Sequence, residues 1–94
     1  MKLSTKGRYG LRAMVNLAVH KDEGPNAVYQ VAEREGISDR YLEQIMTSLK
    51  RAGLIKSIRG PQGGYVLTRE PAEITVGEII RALEGPIAPV DFVS

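Results

Sequence analysis

The sequence predicts a mainly α-helical fold class with one small β-hairpin, and three observations support this prediction. Apolar residues recur at the spacing of a helical face, most clearly at Leu42, Ile45, Met46 and Leu49. An apolar, β-branched run at residues 54–58 and a second run at residues 65–67 bracket a glycine- and proline-rich loop. With 94 residues and 43% hydrophobic content, the chain suits one domain with a modest core, expected over residues 1–85, and a linker beginning at residues 86–94.

The first two helices are expected from their caps and stops. Ser4 or Thr5 is suited to cap a first helix that runs to about His20. A turn at residues 22–26 leads into a brief extended piece and a short second helix, which Gly36 ends. His20 has no second histidine or carboxylate pair at ligand spacing, so we expect a surface or boundary position for it.

The third helix has both of its ends encoded locally. Ser38 is a good N-cap, and Gly53 is a stop that follows two basic residues. Its apolar stripe should face a core, and a second, polar stripe lies on another side, formed by Arg40, Gln44, Thr47 and Arg51, with Glu43 and Lys50 beside it. In a lone helix such a stripe is most often an ordinary solvated face.

The predicted hairpin changes the interpretation of that polar stripe. Helix, short helix, turn, helix and hairpin is the order of a winged helix-turn-helix, in which the hairpin is the wing. Arg59 lies at the base of the tip, where a guanidinium can follow a phosphate or enter a minor groove, and Gln62 is the one polar side chain within the tip. The glycines would let the backbone approach a duplex closely. A fourth helix is expected from the capping-box spacing of Thr75 and Glu78, and it should end at residues 85–86.

The distribution of charge supports a polyanionic partner. Residues 1–69 hold 12 basic and 6 acidic side chains, whereas residues 70–94 hold 1 and 5, so the net charge of +2 hides a basic front and an acidic back. No membrane-spanning stretch or signal peptide pattern is present, so a cytoplasmic protein without a membrane partner is expected.

The residue types argue against an enzyme and against a thiolate metal site. The chain has no cysteine, which excludes disulfides and thiolate ligands within these residues. The loop lacks the Gly-Lys-Ser/Thr ending of a nucleotide-binding loop, and no nucleophile elbow occurs. The carboxylate pairs Glu33/Glu35 and Glu70/Glu73 are expected to be solvated.

Four stretches, residues 1–14, 37–54, 57–67 and 74–91, resemble a family of bacterial winged-helix regulators. That family includes the iron-sulfur cluster regulator IscR, the cysteine-metabolism repressor CymR and the nitric-oxide sensor NsrR. The resemblance implies a homodimer that binds a two-fold-related operator on double-stranded DNA, with the third helix in the major groove and the wing in the minor groove.

The resemblance also implies roles for particular residues. Ser38 and Tyr41 would hold phosphates, although Tyr41 next to Leu42 equally suits a packed position. Glu43 would tune operator choice, and Arg40 stands where a smaller residue is expected in the cluster regulator. The expected site residues are, in the recognition helix, Ser38, Arg40, Tyr41, Glu43, Gln44 and Thr47, and, in the wing, Arg59, Gly60, Gln62 and Gly63.

Two departures limit what the resemblance implies. Family members usually continue into a sensing loop and a long dimerisation helix, whereas this sequence stops at Ser94. In members with an iron-sulfur cluster, three cysteines follow, and Phe92 stands where the first would align. A [2Fe-2S] cluster is therefore expected only in a longer, cysteine-containing form, and no metal ligand is expected in these residues.

The function expected from the sequence is sequence-specific transcription regulation, as a repressor or dual regulator of iron-sulfur cluster biogenesis genes. The first alternative is a repressor of cysteine and sulfur metabolism that acts with cysteine synthase. The second alternative is a winged helix that contacts another protein and no DNA.

Overall fold

The computed structural model describes residues 3–85, and it has the element order that the sequence predicts. The helices are α1 (Thr5–Val19), α2 (Val28–Glu35), α3 (Asp39–Arg51) and α4 (Val76–Glu84), and the strands are β1 (Ile55–Ile58) and β2 (Gly64–Leu67). Two short 3-10 turns, Lys21–Glu23 and Pro71–Glu73, were not predicted. The expected linker and Phe92 lie outside the described residues.

The helix ends confirm the capping predictions. Ser4 Oγ accepts a hydrogen bond from the Gly7 N–H at 2.9 Å, so Ser4 is the N-cap of α1. In α4 the Thr75 hydroxyl accepts from the Glu78 N–H at 3.1 Å, while the Glu78 carboxylate accepts from the Thr75 N–H at 3.1 Å. Gly36 ends α2 with a φ of 68°, a left-handed conformation that favours glycine.

The core lies where α1 and α3 pack against the other helices. Its α1 members are Ala13, Met14 and Leu17, and α4 adds Ile79 and Leu83. Full burial of a Leu, Ile or Met side chain contributes roughly 1.5–3 kcal/mol to the free energy of unfolding. This shared core fixes how α3 is oriented.

The two strands pair antiparallel, with Ile55 opposite Leu67 and Ile58 opposite Gly64. The hairpin follows α3 almost directly, and its base is closed by Thr68. The Thr68 hydroxyl donates to the Gly53 carbonyl at 2.7 Å, and the Thr68 N–H donates to the Leu54 carbonyl at 3.1 Å. The wing therefore starts from a fixed point at the carboxyl end of α3.

Candidate nucleic-acid interface

Helix α3 has one face that is completely buried. Each member of the predicted apolar stripe, Leu42, Ile45, Met46 and Leu49, has a relative exposure of 0%. Because a helix turns about 100° per residue, this burial forces the remaining faces outward. The predicted polar stripe is accordingly exposed along its whole length, at Arg40, Gln44, Thr47 and Arg51.

The basic groups of this surface are not used inside the protein. In the part of the chain that the structure describes, the ion pairs join other residues, so the guanidinium groups of Arg40, Arg51 and Arg59 face solvent without a carboxylate partner. Glu43, which lies beside this stripe on α3, is exposed as well. A solvated guanidinium binds a phosphate or a base edge without first breaking an internal ion pair.

Two hydroxyl groups of α3 are engaged with the backbone. Ser38 Oγ accepts from the Tyr41 N–H at 3.1 Å, so the predicted phosphate residue is also the helix cap. The Thr47 hydroxyl donates to the Glu43 carbonyl at 2.8 Å. In this arrangement the Thr47 oxygen can only accept from a ligand, and its methyl group remains suited to an apolar contact.

Tyr41 is half-buried at the edge of α3. Its ring meets the Tyr9 ring edge-on, with ring centroids 5.9 Å apart and planes at 82°, and the Arg12 guanidinium carbon lies 5.1 Å from the Tyr9 ring centroid. The Tyr41 ring is therefore packed against Tyr9, as one of the two expectations for this residue had it. This contact holds Tyr41 at a defined place beside the exposed face of α3.

The wing tip, residues 59–63, connects the two strands of the hairpin. Arg59, Gly60 and Gln62 are exposed, and Gly63 is half-buried, its N–H donating to the Gly60 carbonyl at 2.9 Å. A methyl group on Gly63 would collide with the Ile58 carbonyl oxygen, and one on Gly64 would collide with the Asn26 carbonyl group. These two glycines are therefore required by contacts within the protein, a reason that the sequence interpretation did not include.

Asn26, which was not predicted as a site residue, holds the wing. Asn26 pairs with Tyr65 of β2 through two backbone hydrogen bonds of 3.1 and 2.8 Å, and it is 3% exposed. Its amide belongs to a polar network of Arg12, Asn16, Arg34 and Glu35, joined by hydrogen bonds of 2.8 and 2.9 Å. Asn16, a polar residue on the apolar face of α1 between Ala13 and Leu17, was the available signal.

The prediction that Glu35 is a solvated carboxylate is wrong. Its side chain is 14% exposed and accepts from the Arg12 Nε and Asn16 Nδ2 at 2.8 Å each. The reason is that α2 packs against α1, which brings the end of one helix to the middle of the other. Glu33 and Glu73 are exposed as expected, and Glu70 lies 3.6 Å from Lys21 on the surface.

The acidic back of the molecule is organised around its own contacts. The Thr75 N–H, followed by the Arg69 guanidinium, donates to the Glu78 carboxylate, and together they hold the pKa of Glu78 below its ordinary range. Glu84 accepts from the N–H and hydroxyl of Ser4 at 3.2 and 2.8 Å. The carboxylates of Glu78 and Glu84 on α4 are thereby engaged by hydrogen bonds within the domain.

The residues present do not fit an iron-sulfur cluster. Clusters are held by cysteine thiolates, sometimes with histidine, and this sequence has no cysteine and one histidine. That histidine, His20, is partly exposed and places its Nδ1 2.8 Å from a Glu23 carboxylate oxygen. Within residues 3–85, no three His, Cys, Asp or Glu side chains are grouped to hold a metal ion. Over the same residues, no helix is long and apolar enough to cross a bilayer.

Comparison with known proteins gives consistent matches along the chain. The family described as "Rrf2: Iron-dependent Transcriptional regulator" matches residues 3–93. The HTH-type transcriptional regulator CymR of Bacillus subtilis is 56% identical over 91 residues, which cover 97% of this chain and 66% of the relative. The HTH-type transcriptional regulator IscR of Aliivibrio salmonicida is 50% identical over 84 residues, which cover 89% of this chain and 50% of the relative.

Solved structures agree with the fold. The structure of CymR from B. subtilis superposes with a TM-score of 0.88 at 55% identity, covering 95% of this chain and 69% of that one. T. potens IscR superposes with a TM-score of 0.84 at 52% identity, covering 99% of this chain and 71% of that chain. The winged helix-turn-helix prediction is confirmed by these neighbours.

This chain spans between half and two thirds of the length of these curated relatives. Their names are those of transcriptional regulators, a non-enzymatic role that agrees with the expectation from the sequence. The chain belongs to the Rrf2 family of transcriptional regulators.

Proposed function

We propose that this chain binds double-stranded operator DNA through the polar stripe of α3 and the tip of the wing. The observation that carries the proposal is the orientation of α3. Its fully buried apolar stripe turns exposed polar side chains outward, next to a hairpin whose Arg59 has no ion-pair partner among residues 3–85. An α-helix with its side chains is about 10–12 Å across, so the exposed side of α3 fits a major groove about 12 Å wide.

In this proposal the side chains of α3 divide between phosphates and bases. Gln44 reads adenine through N6 and N7, and Glu43 accepts from cytosine N4 or repels a site that offers an acceptor instead. Thr47 contacts a base edge with its oxygen or methyl group. Ser38, Arg40 and Tyr41, at the amino end of the helix, bind phosphates and set its register on the duplex.

The wing supplies the second contact. Arg59 enters the minor groove or follows its phosphates, with Gln62 beside it, and the exposed Gly60 lets the tip approach the backbone. A homodimer would place two such domains on half-sites one helical turn apart, about 34–36 Å. The two-fold symmetry of such a homodimer makes a two-fold-related operator the expected target.

The genes of iron-sulfur cluster biogenesis are the first candidate targets, since the sequence resemblance implies them and the family is described as iron-dependent. The genes of cysteine metabolism are the second candidate. They are supported by the 55% identity to a structure described as the global cysteine regulator of B. subtilis, and by Phe92 at the position of the first cluster cysteine. The second candidate brings cysteine synthase as a partner.

The test is a titration of the full-length protein against promoter fragments from its own genome, with a scrambled duplex as control, between 50 and 200 mM salt. About six phosphate contacts should give a log-log slope near −5. Selective, salt-steep binding upstream of cluster-assembly or cysteine-synthesis genes supports the proposal and chooses the gene set. Binding that is indifferent to sequence and salt would instead assign the face of α3 to a protein partner.

A further inference from the structure

The wing is held to the rest of the domain at its base and near its tip. At the base, Thr68 bonds to Gly53 and Leu54, at 2.7 and 3.1 Å, directly after α3. Near the tip, Tyr65 bonds to Asn26 through two backbone hydrogen bonds of 3.1 and 2.8 Å. The two attachments are three residues apart on an extended chain, or roughly 10 Å. Two points at that separation define the direction of the hairpin.

The attachment near the tip depends on how Asn26 itself is held. Its side-chain amide nitrogen donates to the Gly24 and His20 carbonyls at 3.2 and 3.4 Å. Its side-chain oxygen accepts from Arg34 Nη1 at 2.9 Å. With 3% exposure, Asn26 has nearly all of its surface covered by the protein, so water cannot replace these bonds without opening the loop.

The partner of Asn26 is fixed in turn. The same Arg34 nitrogen donates to Asn16 Oδ1 at 2.9 Å, and the Asn16 amide donates to Glu35 Oε2 at 2.8 Å. Glu35 also accepts from Arg12 of α1. The network therefore joins α1 and α2 to the loop at Asn26, which pairs with Tyr65 of the wing's second strand.

We propose that Asn26 is a positioning residue for DNA binding, because its side chain sets the direction of the wing and thereby the place where Arg59 and Gln62 meet the minor groove. This inference rests on the proposed function of the wing. Without the amide, the loop at Asn26 loses its side-chain anchors, and the hairpin pivots about its base at Thr68. Helix α3 and its buried stripe do not contact Asn26 through this network, so base reading by α3 should persist.

The experiment is a double-mutant cycle in DNA binding by the full-length protein. The probe is a duplex selected from a random pool by the wild-type protein. Asn26→Ala is measured alone and in a background whose wing tip is disabled by Arg59→Ala and Gln62→Ala. If Asn26 acts through the wing, the substitution Asn26→Ala weakens DNA binding in the wild-type background. In the background with the disabled wing tip, the same substitution changes the affinity by less than about twofold, the usual error of such cycles. If Asn26→Ala lowers the DNA affinity by the same factor in both backgrounds, Asn26 acts independently of the wing tip and the proposal is overturned.

A second readout follows the wing without DNA. In Asn26→Ala, the Tyr65 N–H, which donates to the Asn26 carbonyl, should exchange with solvent faster, while the Thr68 N–H at the base keeps its wild-type rate. Equal acceleration of both amides would show general destabilisation and contradict a positioning role. If Asn26→Ala does not fold, Arg34→Met removes the hydrogen-bond donor to Asn26 at an exposed residue, and this variant enters the same cycle.

A matched control variant is Glu84→Gln, which weakens the bonds to Ser4 at the other end of α1 from His20 and Asn26. It should lower the unfolding temperature without changing the Tyr65 exchange rate relative to Thr68. The proposed function fails separately, if the wild-type protein selects no duplex. In that case the exchange experiment still decides whether Asn26 directs the wing.

Discussion

Arg59→Ala gives the most informative single change in the wing. Arg59 is exposed and has no ion-pair partner among the described residues, so its removal should change the free energy of unfolding by no more than about 0.5 kcal/mol. Any loss of DNA affinity in this variant can then be assigned to a lost contact with DNA. The variant therefore tests the interface without disturbing the fold.

The expected size follows from counterion release. Each neutralised phosphate contributes about 0.9 to the log-log salt slope. When the salt concentration rises from 50 to 200 mM, the affinity of a variant that has lost one phosphate contact should therefore fall by a factor about 3.5-fold smaller than the affinity of the wild-type protein. The assay is fluorescence anisotropy on a selected duplex at four or more salt concentrations. The matched control is Arg81→Ala, an exposed arginine on α4, which should leave the slope unchanged. An unchanged slope and affinity for Arg59→Ala would remove the wing from the mechanism.

Three further predictions concern α3, α1 and α4. Glu43→Ala should broaden operator choice, measured by selection from a random pool, more than it changes affinity for the original site; uniform weakening on all sequences would contradict a specificity role. Ser4→Ala should lower the free energy of unfolding by about 0.5–2 kcal/mol, measured by urea denaturation, because it removes the cap of α1, and no change would refute that role. Because the pKa of Glu78 is lowered in the folded protein, its ionised carboxylate stabilises the fold. This contribution to the free energy of unfolding is complete above the ordinary glutamate pKa of about 4.3 and is lost as the pH falls through the lower pKa of the folded state. Glu78→Gln should flatten the acid limb of the stability profile, and an unchanged limb would contradict the assignment.

The order of elements could be predicted from the sequence because its signals are local. The caps at Ser38 and Thr75 act within three residues of their partners, and the stripe from Leu42 to Leu49 repeats at helical spacing. The exposure of Gln44 and Arg51 then follows from burial of the opposite face. For these features, neighbouring residues contain nearly all of the relevant information.

The contacts that hold the wing could not be predicted in the same way. Asn26 and Tyr65 are far apart in sequence, and Asn16 meets Arg34 only because α1 and α2 pack together. Composition and periodicity report which side chains are buried, but not which partner a buried amide finds. The same limit explains why Glu35 was expected to be solvated and why Gly64 was assigned to an approaching duplex and not to Asn26.

The most direct test of the central claim is to probe the major groove with 7-deazapurines, which lack the N7 acceptor, at each purine of the selected duplex. Reading of bases by α3 predicts that at least one position in each half-site loses affinity, and that this loss disappears in Gln44→Ala. Wild-type affinity at every substituted purine, or a loss that persists unchanged in Gln44→Ala, would contradict the placement of Gln44 against a purine edge in the major groove.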